Sequence, residues 1–224
     1  MTLSDQVAFV TRVGTDAGRT AALCLAREGA AVFVTDASPD KAAAVAAEIV
    51  RRNGKAASSG HDITDEASWD TAITAAKTAF GPPTILVNGP PDTLMRPIAA
   101  LSLDEFRRAE AINITGPWLG LRHGILAMRE AGKGGSIITL STLAAKLPGK
   151  GSAVNTAAAG GVRIMGRAAA LECGAQSDGI RINLIEMTDA TPDEDLAGAV
   201  LYCAGPDSRF ATGSEITLGA GVVL

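Results

Sequence analysis

The chain has 224 residues, of which 47% are hydrophobic and 4% aromatic, and its formal net charge is -4. That length suffices for one sizeable α/β domain, whose core of Ala, Val, Ile and Leu suits closely packed parallel strands. The sequence has no run of basic residues, so its charge does not favour binding to nucleic acids or to membrane surfaces. The sequence shows no signal-peptide pattern and no apolar run long enough to span a bilayer, so we expect a cytoplasmic protein.

Short apolar runs alternate with helix-forming segments along the chain. The predicted strands are Gln6–Thr11, Ala31–Thr35, Lys55–Gly60, Thr84–Asn88, Ser136–Leu140, Ile180–Ile185 and Glu215–Leu218. The predicted helices are Gly18–Gly29, Pro39–Asn53, Glu66–Phe80, a long region from the capping residue Ser102 to about Ala131 with a bend at Gly116-Pro117, Ser152–Cys173, and Pro192–Ala204. Such alternation predicts an α/β fold, one domain over residues 1–224 with a parallel sheet covered on both faces.

The cysteines and histidines form no pattern typical of a metal site. Cys24, Cys173 and Cys203 lie far apart in apolar helical stretches, which indicates reduced, buried thiols. His61 precedes a turn and His123 lies within the long helix, and we expect both to be ordinary surface or interface residues. No His, Cys or Asp cluster has metal-ligand spacing, so no metal is predicted.

Three short segments resemble the short-chain dehydrogenase/reductase family. They are Leu86-Val-Asn88 after the fourth strand, Ile112–Gly116 in the long helix, and Arg209–Gly213 before the last strand. The resemblance covers nearly the whole chain. It implies a single doubly wound Rossmann-type domain, with a mainly parallel seven-stranded sheet and helices on both faces. In that family NAD(P) lies across the carboxyl ends of the strands, at the switch point.

The phosphate-binding turn departs from the family pattern Thr-Gly-x-x-x-Gly-x-Gly. Arg12 and Asp16 stand at the first two glycine positions, and Gly18 keeps the third. Because the second glycine lets the backbone approach a pyrophosphate, we expect Asp16 to cap the helix, occupy the anion site and compete with a dinucleotide. Gly14 and Gly18 remain candidate cofactor-binding residues, although a simple role in the turn explains them as well. Pairing of Arg12 with a phosphate is the alternative that keeps cofactor binding open.

The resemblance implies three further cofactor contacts, on the adenosine side. Asp36 ends the second strand, where a carboxylate accepts from ribose hydroxyls and favours NAD over NADP. Asp62 falls where the family holds the adenine ring, and Asn88 matches the first residue of the family's Asn-Asn-Ala-Gly. A helix cap or a solvated loop acid is the alternative for the two aspartates. The prediction is no bound cofactor, or NAD if any.

The family's catalytic set of Asn, Ser, Tyr and Lys differs here at three of four positions, and two of the three replacements cannot carry a proton. Asn113 matches the supporting Asn and Thr142 falls at the Ser position. Asn155 stands at the Tyr position and Ala159 at the Lys position, where an amide does not titrate and a methyl group carries no charge. The one tyrosine of the sequence, Tyr202, lies in the final helix.

The segment after the sixth strand is also shortened. Glu186-Met187 replace the family's Pro-Gly, and Pro192 already begins the next helix, so little lid remains to exclude water. Lys146 and Lys150, in the loop after the fifth strand, read as exposed lysines; replacement of the lost catalytic Lys by either is the alternative.

Three functions remain open at this point. The first is a non-catalytic subunit that assembles through the long helix and the Ala-rich helix, either as a homo-oligomer or as a hetero-oligomer such as a heterotetramer with an active paralogue. The second is an NAD-dependent oxidoreductase for an alcohol, ketone or hydroxyacyl substrate, with rewired acid–base residues. The third is a non-redox module that binds a ligand in the vacated pocket.

Overall fold

A computed structural model describes residues 3–219 of the chain. Its centre is a seven-stranded sheet in the order β3-β2-β1-β4-β5-β6-β7, and every pairing is parallel. The strands are β1 (Val7–Val10), β2 (Ala31–Asp36), β3 (Lys55–Gly60), β4 (Ile85–Asn88), β5 (Gly135–Thr142), β6 (Ile180–Met187) and β7 (Glu215–Leu218). The strand order reverses between β1 and β4, which makes this the switch point of a doubly wound sheet.

Seven α-helices connect these strands. They are α1 (Asp16–Arg27), α2 (Pro39–Arg51), α3 (Glu66–Phe80), α4 (Leu103–Glu110), α5 (Gly116–Ala131), α6 (Ala153–Gln176) and α7 (Asp193–Ala204). The predicted strands and helices are therefore all present, with differences of a few residues at their ends. Side-chain caps begin several helices: Ser38 begins α2, Asp65 begins α3, and Ser102 with Glu105 forms the predicted capping box of α4.

Alternation along the strands builds two separate cores. In β1, Ala8 and Val10 pack with α1, α2 and α7 on one face of the sheet. Phe9 points to the opposite face, where it meets α3, α5 and α6. Both faces of the central strands are apolar because both are covered by helices. The result is a three-layer domain whose strands end at a common carboxyl edge.

The long helical region is interrupted earlier than the sequence predicted. A π-turn (Ala111–Thr115) separates α4 from α5, and Pro117 lies in the first turn of α5. The predicted bend at Gly116-Pro117 is wrong in its cause, because a proline in the first turn of a helix is tolerated. The interruption instead comes from the π-helical segment just before Gly116, which contains Asn113.

The three cysteines are reduced and buried, as predicted. Burial raises the pKa of Cys24 to about 12 and those of Cys173 and Cys203 to about 11. Within residues 3–219, no helix is both long enough and apolar enough to cross a membrane.

Candidate functional site

The turn between β1 and α1 keeps a glycine-like backbone around a non-glycine residue. Arg12 has a φ of 57°, in the left-handed region that favours glycine. Gly18 must lack a side chain, because a Cβ there would lie 2.3 Å from the Arg12 carbonyl oxygen. The turn has therefore kept the shape required at the first glycine position while losing that glycine.

Asp16 does not cap α1, which corrects the prediction. Thr15 is the capping residue, and its Oγ1 accepts a hydrogen bond from the Gly18 amide at 3.2 Å. Asp16 is the first residue of the helix and its side chain is exposed. The hydroxyl precedes the carboxylate by one residue and so reaches the free amides first.

Asp36 closes the turn from the side of β2. Its Oδ2 accepts from the Gly14 amide at 2.8 Å, and its Oδ1 accepts from the Ser38 amide at 3.0 Å. Each carboxylate oxygen can accept a second hydrogen bond, and Asp36 is only partly buried, so a ribose hydroxyl could still donate to it. Asp36 thus fits the adenosine half of a dinucleotide site.

The other two candidate contacts serve the protein's own structure. Asp62 Oδ1 accepts from the amide and the hydroxyl of Thr64, at 2.9 and 2.8 Å, in the turn before α3. Asn88 is 2% exposed, and its Nδ2 donates to the Pro117 carbonyl at 3.4 Å and to Thr139 Oγ1 at 3.2 Å. Asn88 therefore joins β4 to β5 and α5, and its amide is committed to those contacts.

Asn113 binds the loop that follows β4, here called the β4–α4 loop (residues 89–102). Its Oδ1 accepts from the Asp92 amide and its Nδ2 donates to the Asp92 carbonyl, both at 2.8 Å. This two-way contact fixes the backbone of Asp92. The Asp92 side chain then forms an ion pair with the guanidinium of Arg12.

Asn155, at the position of the family's tyrosine, holds the same loop. Its Oδ1 accepts from the Leu94 amide at 3.0 Å, and its Nδ2 lies 3.7 Å from the sulfur of Met95. Two residues further, the Arg96 amide donates to the Gly151 carbonyl at 2.8 Å. The loop is thus attached to the start of α6 across the carboxyl edge of the sheet.

The space between these residues is nearly filled. The cavity has a volume of about 20 Å³, which holds about one water molecule. A nicotinamide ring is several times larger than a water molecule, so the β4–α4 loop would have to move before this cavity could admit one. The residues around the cavity include Pro91, Asp92, Thr93, Asn113, Ser141, Thr142, Asn155, Ala158 and Ala159.

Thr142 has kept a hydroxyl at this cavity, and Ala159 brings a methyl group. Thr142 Oγ1 accepts from the Ala144 amide at 3.4 Å, so its hydrogen remains available for donation. Ala159 is 6% exposed and has no group that could carry a proton. Among the residues that line the cavity, Asp92 is the one with an ionisable side chain.

Lys146 does not reach the cavity and is not an exposed lysine, contrary to the prediction. Its Nζ lies 2.5 Å from Glu186 Oε2 and 3.1 Å from Thr217 Oγ1. The Glu186 side chain is 1% exposed, and the hydrogen bond from Lys146 holds its charge inside the protein while raising the pKa of Lys146. Glu215 adds a second carboxylate at 3.4 Å. Lys150 is exposed in the loop.

Both histidines are buried, which corrects the expectation of surface residues. His61 is 3% and His123 5% exposed, and they lie on either side of Trp69 with ring centroids 4.4 and 5.7 Å from it. Burial lowers the pKa of His61 to about 4. They stabilise the core beneath β2 and β3, and no group of three or more metal-ligating side chains occurs within residues 3–219.

The ion pairs of two acidic residues at the carboxyl edge of the sheet were not predicted, although the sequence around each residue gives an indication of a pair. Asp92 follows Pro90-Pro91 directly, and the cation required to pair with it stands at Arg12, where the family has glycine. Glu186 is an acid within an apolar strand, and such an acid requires a buried cation nearby. Neither signal identifies the partner, because the partners lie 80 and 40 residues away.

Comparison with known proteins agrees with the fold and with the resemblance found in the sequence. A family model described as enoyl-(acyl carrier protein) reductase matches residues 17–191. The 3-alpha-(or 20-beta)-hydroxysteroid dehydrogenase of Mycobacterium bovis is 31% identical, with 99% of this chain and 90% of that protein covered. The NADP-dependent (R)-specific alcohol dehydrogenase of Lentilactobacillus kefiri is 28% identical, with 98% and 97% covered.

A solved structure has the same fold. The crystal structure of a short chain dehydrogenase from Mycobacterium smegmatis superposes with a TM-score of 0.92 at 22% identity, and the match covers 99% of this chain and 95% of that one. The chain belongs to the short-chain dehydrogenase/reductase family.

Proposed function

We propose that this chain is a non-catalytic member of the family that acts as a binding or structural subunit, in partnership with an active short-chain dehydrogenase. The observation that carries the proposal is the contact of Asn155 with the Leu94 amide. The residue at the position of the proton donor is used to hold a loop over the site. The 20 Å³ that remain leave no room for a nicotinamide ring.

The loss of a proton donor is not compensated nearby. Tyr202 lies on α7, whose C-terminal end is at the opposite edge of the sheet from the cavity. Lys146 is held by Glu186 and Glu215. Asp92 lines the cavity, but its carboxylate is engaged in the ion pair with Arg12.

A partner surface is supported by the outer side of α6. Apolar or small residues recur there at helical spacing, and Ile164 and Leu171 are 53% and 76% exposed. Trp118 and Leu126 of α5 are also about half exposed, at 46% and 50%. Exposed aliphatic and aromatic residues on two long helices are typical of an interface. The small residues of that side of α6 are Ala153, Ala157, Gly161 and Ala168.

The alternative is an NAD-dependent oxidoreductase with rewired acid–base groups. It is favoured by the dehydrogenase names of the relatives and by the Thr142 hydroxyl at the cavity. Such an enzyme would have to displace the β4–α4 loop to admit its cofactor.

One experiment separates the two. The purified chain is assayed with NAD and NADP against secondary alcohols and hydroxysteroids, alone and after co-expression with an active short-chain dehydrogenase of its host. We expect no turnover from the chain alone, and a mixed oligomer in the co-expressed sample. Robust turnover by the isolated chain would contradict the proposal. In that case Thr142→Ala should abolish it while the exposed Thr71→Ala should not.

A further inference from the structure

The ion pair of Arg12 and Asp92 spans the crevice at the switch point. Arg12 follows β1 and Asp92 follows β4, and these strands are neighbours in the sheet, with Val10 paired to Val87. The chain leaves β1 toward one face and β4 toward the other, which opens a crevice between the two connections. A dinucleotide bound at a doubly wound sheet passes through that crevice. The two side chains therefore meet across the path that a phosphate group would take.

Each side of this bridge is held in place by its own backbone contacts. The Arg12 carbonyl accepts from Thr15 Oγ1 at 2.7 Å and packs against Gly18. The Asp92 backbone is held in both directions by Asn113. The Arg12 side chain is 17% exposed and the Asp92 side chain 49%, so the guanidinium is largely shielded from water while the carboxylate is half exposed. A contact between two fixed ends costs less conformational entropy than one between mobile side chains.

Asp92 thus supplies the carboxylate that the sequence led us to expect from Asp16. Its negative charge satisfies the one cation of the turn, so an incoming phosphate meets a carboxylate where it needs a positive charge. We propose that the Arg12–Asp92 pair is an autoinhibitory bridge, which a phosphate-bearing nucleotide must open before it can occupy the crevice. Asp92 and the ligand's phosphates compete for the same guanidinium.

The test is calorimetric titration of NADH and, separately, ADP into the wild type and Asp92→Asn. The amide keeps the size of the side chain and the backbone contacts with Asn113, and removes the charge. We expect both dissociation constants to fall by about fivefold, the upper range for a partly exposed ion pair. Asp207→Asn is the control, because it removes an equal charge from an exposed turn after α7, at the far edge of the sheet.

The inference is overturned if Asp92→Asn, folded by circular dichroism, binds both nucleotides no more tightly than Asp207→Asn does, or binds neither. Asp92→Ala serves as a second variant and must show the same gain. Because binding is measured without turnover, the result is independent of the proposed function: a variant that binds NADH tightly but transfers no hydride to a ketone supports the bridge and leaves the non-catalytic role intact.

Discussion

The two sides of the carboxyl edge of the sheet differ in what their side chains contact. On the side of β2, Asp36 Oδ2 accepts from the Gly14 amide, and both residues are at least partly exposed. On the side of β5 and β6, the loop held by Asn155 covers the cavity, and Lys146 forms an ion pair with Glu186 of β6. On both sides the sheet consists of parallel strands.

This difference separates the forces that stabilise the sheet from those that act at the strand ends. Parallel strands with apolar faces are stabilised by packing, which does not depend on the residues at the strand ends. At those ends, buried polar groups need hydrogen-bond partners, because an unpaired buried group is costly. Asn113 and Asn155 have found such partners in the β4–α4 loop.

The largest effect is expected at the buried ion pair on the side of β6. Glu186→Ala should lower the free energy of unfolding by about 3 kcal/mol, because Lys146 and Thr217 both lose the buried carboxylate to which they donate. Lys146 keeps the more distant Glu215, at 3.4 Å. The measurement is urea unfolding followed by circular dichroism. Glu172→Ala, on the exposed face of α6, is the matched control and should cost less than about 0.5 kcal/mol.

A double variant sharpens this prediction. Lys146→Met with Glu186→Leu removes both charges, and it should lose less stability than Glu186→Ala alone. If Glu186→Ala is no less stable than Glu172→Ala, the ion pair of Glu186 with Lys146 does not stabilise the protein. The difference between the two sides of the sheet would then have no effect on stability.

On the side of β2 and β3, the expected effect is a dependence of stability on pH. Burial lowers the pKa of His61 from 6.5 to about 4, with neighbouring Asp62 opposing the shift. The folded protein therefore favours the neutral ring. The stability that the neutral ring contributes is complete above pH 6.5 and is lost as the pH falls toward 4. At pH 5 the loss in the free energy of unfolding is about 2 kcal/mol.

Unfolding at pH 7 and at pH 5 measures this loss. In His61→Leu, the difference between the two pH values should shrink by about 2 kcal/mol. His123→Leu should remove less of it, because Asp70 partly offsets the effect of burial on the pKa of His123. An unchanged difference in His61→Leu would show that the ring is already protonated or freely hydrated in the folded protein.

The smallest effect is expected at the turn between the two sides. Arg12→Gly and Arg12→Ala both remove the guanidinium, but glycine tolerates a φ of 57° and alanine does not. We expect the glycine variant to be more stable than the alanine variant by about 1 kcal/mol in urea unfolding. Equal stabilities would mean that the turn relaxes once the arginine is gone.

Elements of the fold could be predicted because their signals are local. Ala31–Asp36 is an apolar run and Ser102 with Glu105 is a capping box, and each was found where the sequence placed it. Helix interruption was harder to predict, because the π-turn is stabilised by the contacts of Asn113 with a distant loop. The family positions of the site were read from short motifs, and these motifs specify neighbours in sequence only.

Two of the errors in the site share one physical cause. The sequence predicts His61 to be a surface or interface residue, because its burial depends on Phe9 and Trp69, which come from other elements. It predicts Lys146 to be exposed, because its partner Glu186 lies 40 residues further along the chain. Contacts over long sequence separations decide these cases, and a single sequence does not report them.

The buried cysteines can serve as natural probes of local opening in each helical layer of the molecule. Cys24 and Cys203 lie in α1 and α7 on one face of the sheet, while Cys173 lies in α6 on the other. Because alkylating reagents attack only an exposed thiolate, each thiol is labelled only when its own helix layer separates from the strands. The relative rates of labelling would therefore report which of the two helical layers detaches first, without any engineered probe.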